Sequence, residues 1–214
     1  NPGLQPEETD SYYLGGVVDF GEFVDFLDGL VLEVDLWKFE HTDVISRLGA
    51  ATIVSNAGDP FYDQFITRNA PAPGESVGTI DFVSTQWQNL DAQETSGIDV
   101  GLQYSFNTDN MGEFRFAAEV TYVDTYEFTD SFGETQEWAG TWTQPQWRGN
   151  GRVAWKYGDW AASVFVDYVG EYGELYIPGN VKAYWRVNPQ VAYSGWYDTV
   201  ITVGVRNVFD EEPP

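Results

Sequence analysis

From Ile98 to Phe106 large apolar side chains (Ile98, Val100, Leu102, Tyr104, Phe106) alternate with Asp99, Gly101, Gln103 and Ser105, the period-two pattern of an extended strand with two unlike faces. Asn107 to Gly112 reads as a tight polar turn. Phe114, Phe116, Ala118, Val120 and Tyr122 then alternate with Glu113, Arg115, Ala117, Glu119 and Thr121, so the spacing predicts a hairpin with one apolar and one polar face. Each arm holds about ten alternating residues, longer than the roughly five or six of a soluble strand and close to what a tilted strand needs to cross a bilayer.

The rest of the chain repeats the theme. Strands are predicted over Ser11 to Phe20, Leu30 to Phe39, Trp147 to Tyr157, Trp160 to Tyr168, Tyr184 to Tyr193 and Ile201 to Arg206. Gly21 to Gly29 is a modest connection with a short helical turn. Glu40 to Thr95 is a long excursion in which Asp43 is expected to cap a helix holding Val44, Ile45, Leu48 and Ile53. There Asp59 and Pro60 start a second helix through Ile66, and Thr79 to Val83 forms a short strand. Glu127 to Gln146 is a second long connection. Pro189 removes a ladder donor inside its strand, so a bulge is expected there. About eight long strands result, their connections alternating between short and long, as in outer-membrane barrels with short periplasmic turns and long outer loops. Tyr12, Tyr104, Tyr122, Trp155, Trp160 and Tyr193 stand at strand ends, where an interfacial aromatic girdle belongs.

Composition narrows the function. The net charge of −24, from 34 acidic against 10 basic residues, excludes a nucleic-acid surface, because neutralising phosphates needs clustered Lys and Arg. Cysteine is absent, so there is neither a disulfide framework nor a thiolate metal site. His41 is the only histidine, which rules out a histidine-rich metal centre or a histidine-based triad elsewhere in the chain. No carboxylate spacing argues acid–base catalysis, and neither a catalytic residue nor a cofactor is expected. Asp25 with Asp28, and Glu211 with Glu212, are the acidic pairs that a calcium ion would choose, without the loop pattern of a dedicated site. No apolar run reaches the roughly 18 residues of a membrane helix. If the chain meets a membrane, it does so as strands.

Four stretches, "PEETDSYYLGGVV", "LEVDLWKFEHTDVISRLGA", "ETSGIDVGLQYSF" and "VGVRNVFDEEPP", resemble the C-terminal part of the β-barrel of TonB-dependent outer-membrane receptors. The resemblance implies an all-β, antiparallel up-and-down transmembrane barrel segment, residues 1–214 being a partial barrel domain without plug and final strand. Family barrels have about 22 strands around a plugged lumen. The family implies the Gram-negative outer membrane and active uptake of a scarce siderophore, cobalamin or oligosaccharide. The implied partners are outer-membrane lipid, the receptor's own plug and the TonB energy-coupling protein. Relatives often carry two cysteines in the long helical loop; with none here, packing alone must order it.

On this reading Asp99, Arg115, Glu119, Arg148, Arg152, Asp167, Arg186 and Arg206 line the lumen, since charges on the lipid side would cost about 2–4 kcal/mol each at mid-bilayer. Trp138, Trp142, Tyr172 and Tyr176 fall in outer loops and are the ligand-binding candidates; anchoring of the loops to each other is the competing role. Two other readings stand beside uptake: a soluble β-sandwich that binds carbohydrate through its aromatics, with the apolar face as core, and a small self-contained barrel.

Overall fold

The computed structural model describes residues 3–130, 134–174 and 179–212. Its strands are β1 (Glu8–Asp19), β2 (Leu30–Ser46), β3 (Ile66–Arg68), β4 (Ile80–Val83), β5 (Gln88–Thr108), β6 (Gly112–Thr129), β7 (Thr135–Glu137), β8 (Trp147–Tyr157), β9 (Trp160–Val169), β10 (Tyr172–Gly173), β11 (Asn180–Val181), β12 (Tyr184–Trp196) and β13 (Thr199–Gly204). Two short helices, α1 (Ala50–Ser55) and α2 (Pro60–Asp63), lie between β2 and β3. The main sheet runs in the order β1-β2-β5-β6-β8-β9-β12-β13, with β7 paired to β6. Its long strands are therefore neighbours in sequence order, with only the excursion and the loop hairpins interposed, as in an up-and-down meander.

The chain divides into two compact units. The larger comprises Ser11–Glu40, Glu94–Phe128 and Gln136–Pro214. In it β8 pairs β6 with Phe116 opposite Val153 and Glu119 opposite Asn150, and β9 with Val153 opposite Val164 and Asn150 opposite Asp167. β12 continues the register, setting Arg186 opposite Asp167. Like faces thus line up from strand to strand. On the apolar face rings meet across strands: Phe106 with Phe114 at 5.2 Å, Tyr122 with Trp147 at 4.6 Å, Trp160 with Tyr193 at 4.6 Å and Tyr168 with Trp185 at 4.2 Å. Among the described residues nothing in the unit covers that face. Leu102 is 39% exposed and Val164 37%, and Val123 is the unit's one buried large hydrophobic among the described residues. A soluble sandwich would bury these side chains under a second sheet, so the structure does not support that reading.

The β5–β6 turn depends on a glycine. Gly112 has φ +84°, and a Cβ there would lie 2.1 Å from the Lys156 carbonyl oxygen. Thr108 Oγ1 closes the turn, donating to the Gly112 carbonyl at 3.0 Å and accepting from Met111 N at 3.0 Å. At Pro189 the expected bulge is absent: Pro189 sits in regular register opposite Val164. Its carbonyl accepts from Val205 N at 3.0 Å, and in a strand the nitrogen of a residue turns to the same neighbour as its carbonyl. The missing donor therefore faces the side where β13 has already ended, and β9 loses nothing. The register shift lies instead between Tyr193 and Trp196.

The smaller unit comprises Asn1–Asp10, His41–Gln93 and Thr129–Thr135. Here the expected helix from Asp43 is not formed. β2 runs on to Ser46 and takes up Val44 and Ile45, as suits β-branched side chains. Asp43 is a kink at φ +56°, its carbonyl accepting from Asn89 Nδ2 at 2.6 Å while the same amide donates to the Gln5 carbonyl at 2.9 Å. The first helix begins after Gly49, without a side-chain cap. Asp59 does cap α2, accepting from Phe61 N at 2.8 Å with Pro60 in the first turn. That helix stops at Asp63, and Ile66 opens β3, which pairs β4. Ile53, Tyr62 and Phe65 form a core, with Leu48, Phe61, Ile66 and Val83 packed against it. Burial pushes the Tyr62 phenol above its ordinary 10.0, with Asp130 and Asp59 adding to the shift. This packing orders a loop that has no disulfide to do so.

Candidate functional site

On the polar face, several neighbouring side chains satisfy one another. Arg186 grips Asp167 with Nη2 and Nε at 2.8 and 2.9 Å. Asn150 Nδ2 donates to Glu119 Oε2 at 3.2 Å, and Thr121 Oγ1 to Asp99 Oδ1 at 2.5 Å. Arg115 pairs with Glu113, and the Tyr13 hydroxyl with Asp35. Gln190 Nε2 reaches Ser163 Oγ at 3.0 Å. Seven of the eight expected polar-face residues lie within strands of this ladder; Arg206 stands just beyond the end of β13 and lines an open hollow together with Arg152, Asp167 and Arg186. Phe165 breaks the pattern, since it shares this face with Ser163 and Asp167 on β9 and is 37% exposed.

The predicted loop aromatics separate into different roles. Trp138 lies stacked on Tyr126 and Phe128 at 6.4 and 6.0 Å. Its Nε1 is buried without a hydrogen-bond partner among the described residues. Trp142 is 56% exposed. Its backbone N donates to the Gly173 carbonyl at 3.0 Å, and Gly173 N donates to the Gly140 carbonyl at 2.7 Å, which brings the Trp142 and Tyr172 segments together. Thr141 Oγ1 donates to the Trp138 carbonyl at 2.6 Å, holding the turn that presents Trp142. Tyr172 is half-buried in β10, opposite Val181. Tyr176 lies outside the described residues.

Sequence reading missed the ion pairs of Lys38 Nζ with Glu40 at 2.8 Å and Glu94 at 2.9 Å. By alternation they share the face of Leu36 and Ile98, and they stand immediately past its last apolar residues. Among the described residues no cluster of three or more His, Cys, Asp or Glu could hold a metal. Among those residues, neither Asp25 with Asp28 nor Glu211 with Glu212 gathers a third carboxylate or a histidine. His41 Nε2 lies 3.8 Å from Glu7 Oε2.

One antiparallel sheet, unshielded and aromatic on one face and laced with ion pairs on the other, defines a wall strand set of a transmembrane β-barrel. A family model described as TonB dependent receptor-like, beta-barrel, matches residues 1–208, and the chain belongs to this family of outer-membrane receptors. Its fold is similar to that of the ferripyoverdine receptor of the outer membrane of Pseudomonas aeruginosa, with a TM-score of 0.61, 15% identity, and coverage of 97% of this chain and 24% of that one. It is likewise similar to the ferric enterobactin receptor PfeA of Pseudomonas aeruginosa, at a TM-score of 0.63 and 15% identity, covering 98% of this chain and 27% of the other. The chain thus spans about a quarter of the length of these receptors. No curated protein matches it.

Proposed function

We infer that this chain is part of the wall of a receptor that takes up an iron–siderophore complex across the outer membrane by TonB-dependent transport. The observation that carries the reading is the sheet itself, whose apolar face has no cover among the described residues while its polar face carries the charges and pairs Arg186 with Asp167 and Arg115 with Glu113. Such a sheet is stable when lipid covers the first face and a lumen the second. Siderophore is preferred to cobalamin or oligosaccharide because the structurally similar receptors bear the names of ferric siderophores. Asp99, Arg115, Glu119, Arg148, Arg152, Asp167, Arg186 and Arg206 then line the lumen. The Lys38, Glu40 and Glu94 pairs mark where the strands leave the bilayer on the long-loop side, which is the extracellular side. The plug and the segment that engages TonB belong to the flanking receptor sequence.

The test is accumulation of radiolabelled ligand by cells that make the full-length receptor, supplied with ferric enterobactin or ferripyoverdine carrying radioactive iron, and with labelled cyanocobalamin and labelled maltohexaose as parallel arms. Uptake of one ferric complex, abolished by deleting the tonB function, is expected. Uptake confined to cobalamin or sugar reassigns the cargo, and no uptake that depends on TonB overturns the reading. With the accepted complex in hand, Trp142→Ala should weaken equilibrium binding by about 2- to 12-fold, the loss of a stacking contact worth roughly 0.5–1.5 kcal/mol. Trp138→Ala should instead lower loop order, read as faster proteolysis. Unchanged affinity in the Trp142 variant would remove that side chain from the binding surface.

A further inference from the structure

The base of the excursion is tied by the stretch that leads into β1. Asn89, at the start of β5, uses its amide three times: Oδ1 accepts from Gln5 N at 2.8 Å, and Nδ2 donates to the Gln5 carbonyl at 2.9 Å and to the Asp43 carbonyl at 2.6 Å. Two residues after Gln5, Glu7 Oε1 accepts from Ile45 N at 2.7 Å. Both bonds to β2 fall at its kink, where Asp43 stands at φ +56°. Gln5 to Glu7 is thus a strap laid across the point at which β2 bends, and each of these bonds joins two groups of this chain.

The strap also meets a group that changes charge. The second carboxylate oxygen of Glu7, Oε2, lies 3.8 Å from Nε2 of His41, the chain's only histidine. The other charges that sequence and strand order set around His41 are negative: Glu8 opening β1, Glu40 and Asp43 on β2, and Asp91 near the start of β5, which pairs with β2. The cations of the region are engaged elsewhere. Lys38 is held by Glu40 and Glu94, Arg47 stands over the Trp87 ring at 5.4 Å, and Arg68 lies beside Asp63. A proton on His41 therefore enters a field of one sign, with Glu7 its partner in contact.

We propose that the Gln5 to Glu7 strap is a pH-sensitive fastening of the excursion's base, tightened when His41 takes up a proton. An imidazolium attracts the Glu7 carboxylate and a neutral imidazole does not, so the contact strengthens as pH falls and is lost as pH rises through the neutral range in which histidines change charge. Glu7 spans the two ends of the device. Drawn towards His41 by one oxygen, it keeps the other on the Ile45 amide, two residues past the kink. Slackened, it leaves Asn89 alone to hold the lead of β1 against the neck. The inference goes beyond the transport reading and does not depend on which cargo the receptor takes.

The test is hydrogen exchange of the full-length receptor in detergent micelles, read by mass spectrometry at the peptide that carries the Ile45 amide. Rates are divided by those of the unstructured peptide at the same pH, which removes the chemical pH dependence of exchange itself. Protection is expected to fall about two- to fivefold from about pH 5.5 to about pH 8, the size of effect that a partly exposed ion pair supports. Glu7→Gln, which keeps an oxygen for the Ile45 amide, and His41→Gln should each lose the pH dependence. His41→Lys, charged throughout, should stay protected at both ends, and salt at about 1 M should flatten the wild type, since screening then acts within about 3 Å. Amides of β8 and heat-modifiable migration on gels check that each variant is folded. Wild-type protection that ignores pH overturns the proposal, as does a pH dependence that survives in both glutamine variants. Exchange is read without cargo or TonB, so a negative result here leaves the transport reading standing.

Discussion

A receptor carrying Val153→Arg is expected to fail to accumulate in the outer membrane, whereas Asn150→Arg, three positions away on the other face of β8, accumulates as the wild type does. Val153 lies near the middle of its strand, 44% exposed on the apolar face and opposed by Phe116 and Val164. A guanidinium there must enter hydrocarbon, at a cost of about 2–4 kcal/mol near the midplane. That is a large fraction of the roughly 5–15 kcal/mol by which a folded protein exceeds its unfolded chain. At position 150 an arginine instead falls between Glu119 and Asp167 in register. Adding Leu102→Arg and Val164→Arg should raise the loss to about 6–12 kcal/mol if the sites act independently, and positions 153 and 164 face each other, so repulsion adds to it. Surface labelling and heat-modifiable migration read the outcome. Normal accumulation of the Val153 variant would mean that lipid does not cover this face.

The contrast between neighbours on one strand also explains which parts of the fold the sequence disclosed. Where one face meets apolar surroundings and the other polar ones, alternation is forced, and Ile98 to Phe106, Phe114 to Tyr122 and Trp160 to Tyr168 are legible at once. Past the last apolar residue the constraint lapses. Gln88 to Gly97 is polar on both faces, yet it forms the first half of the 21-residue β5, and β2 runs 17 residues, because backbone pairing with a neighbour needs no side-chain pattern. Asp43 illustrates the opposite error. An aspartate before Val44 and Ile45 reads as a helix cap, but Asn89, 46 residues on, fixes the Asp43 carbonyl, and no local rule can see a partner so distant.

The candidate site was legible to the same degree and for the same reason. Which charges share a face follows from parity, so Asp167 and Arg186 could be placed together before their contact was known. Which of them pair depends on register, and register is set by turns such as that at Gly112 and not by the charged residues themselves. The loop aromatics carry no periodicity at all. Trp138 and Trp142 are four residues apart, yet one is packed on Tyr126 and Phe128 and the other presented outward, a division made by the hydrogen bonds of Gly140, Thr141 and Gly173.

Ile53→Ala should unravel the smaller unit while leaving the sheet assembled. Ile53 is 1% exposed and, with Tyr62 and Phe65, makes up the buried hydrophobic core of that unit. Removing a buried Ile side chain costs about 2–5 kcal/mol and a Phe about 3–5 kcal/mol, in proportion to the cavity left behind. With so few buried residues and no cysteine, neither a larger core nor a cross-link offsets the loss. The Arg68 side chain records the state of the unit, since it donates to the Gly78 carbonyl at 3.3 Å and lies 3.7 Å from Asp63. Freed of those contacts, the backbone after Arg68 becomes a tryptic site. Cells displaying Ile53→Ala or Phe65→Ala receptor should therefore show cleavage at Arg68, with heat-modifiable migration retained. Val54→Ala, one residue along on the 43% exposed side of α1, should resist trypsin as the wild type does. Equal resistance in all three variants would mean that the excursion is held by something other than its own core, and loss of the folded sheet in the Ile53 variant would mean that the two units fold as one.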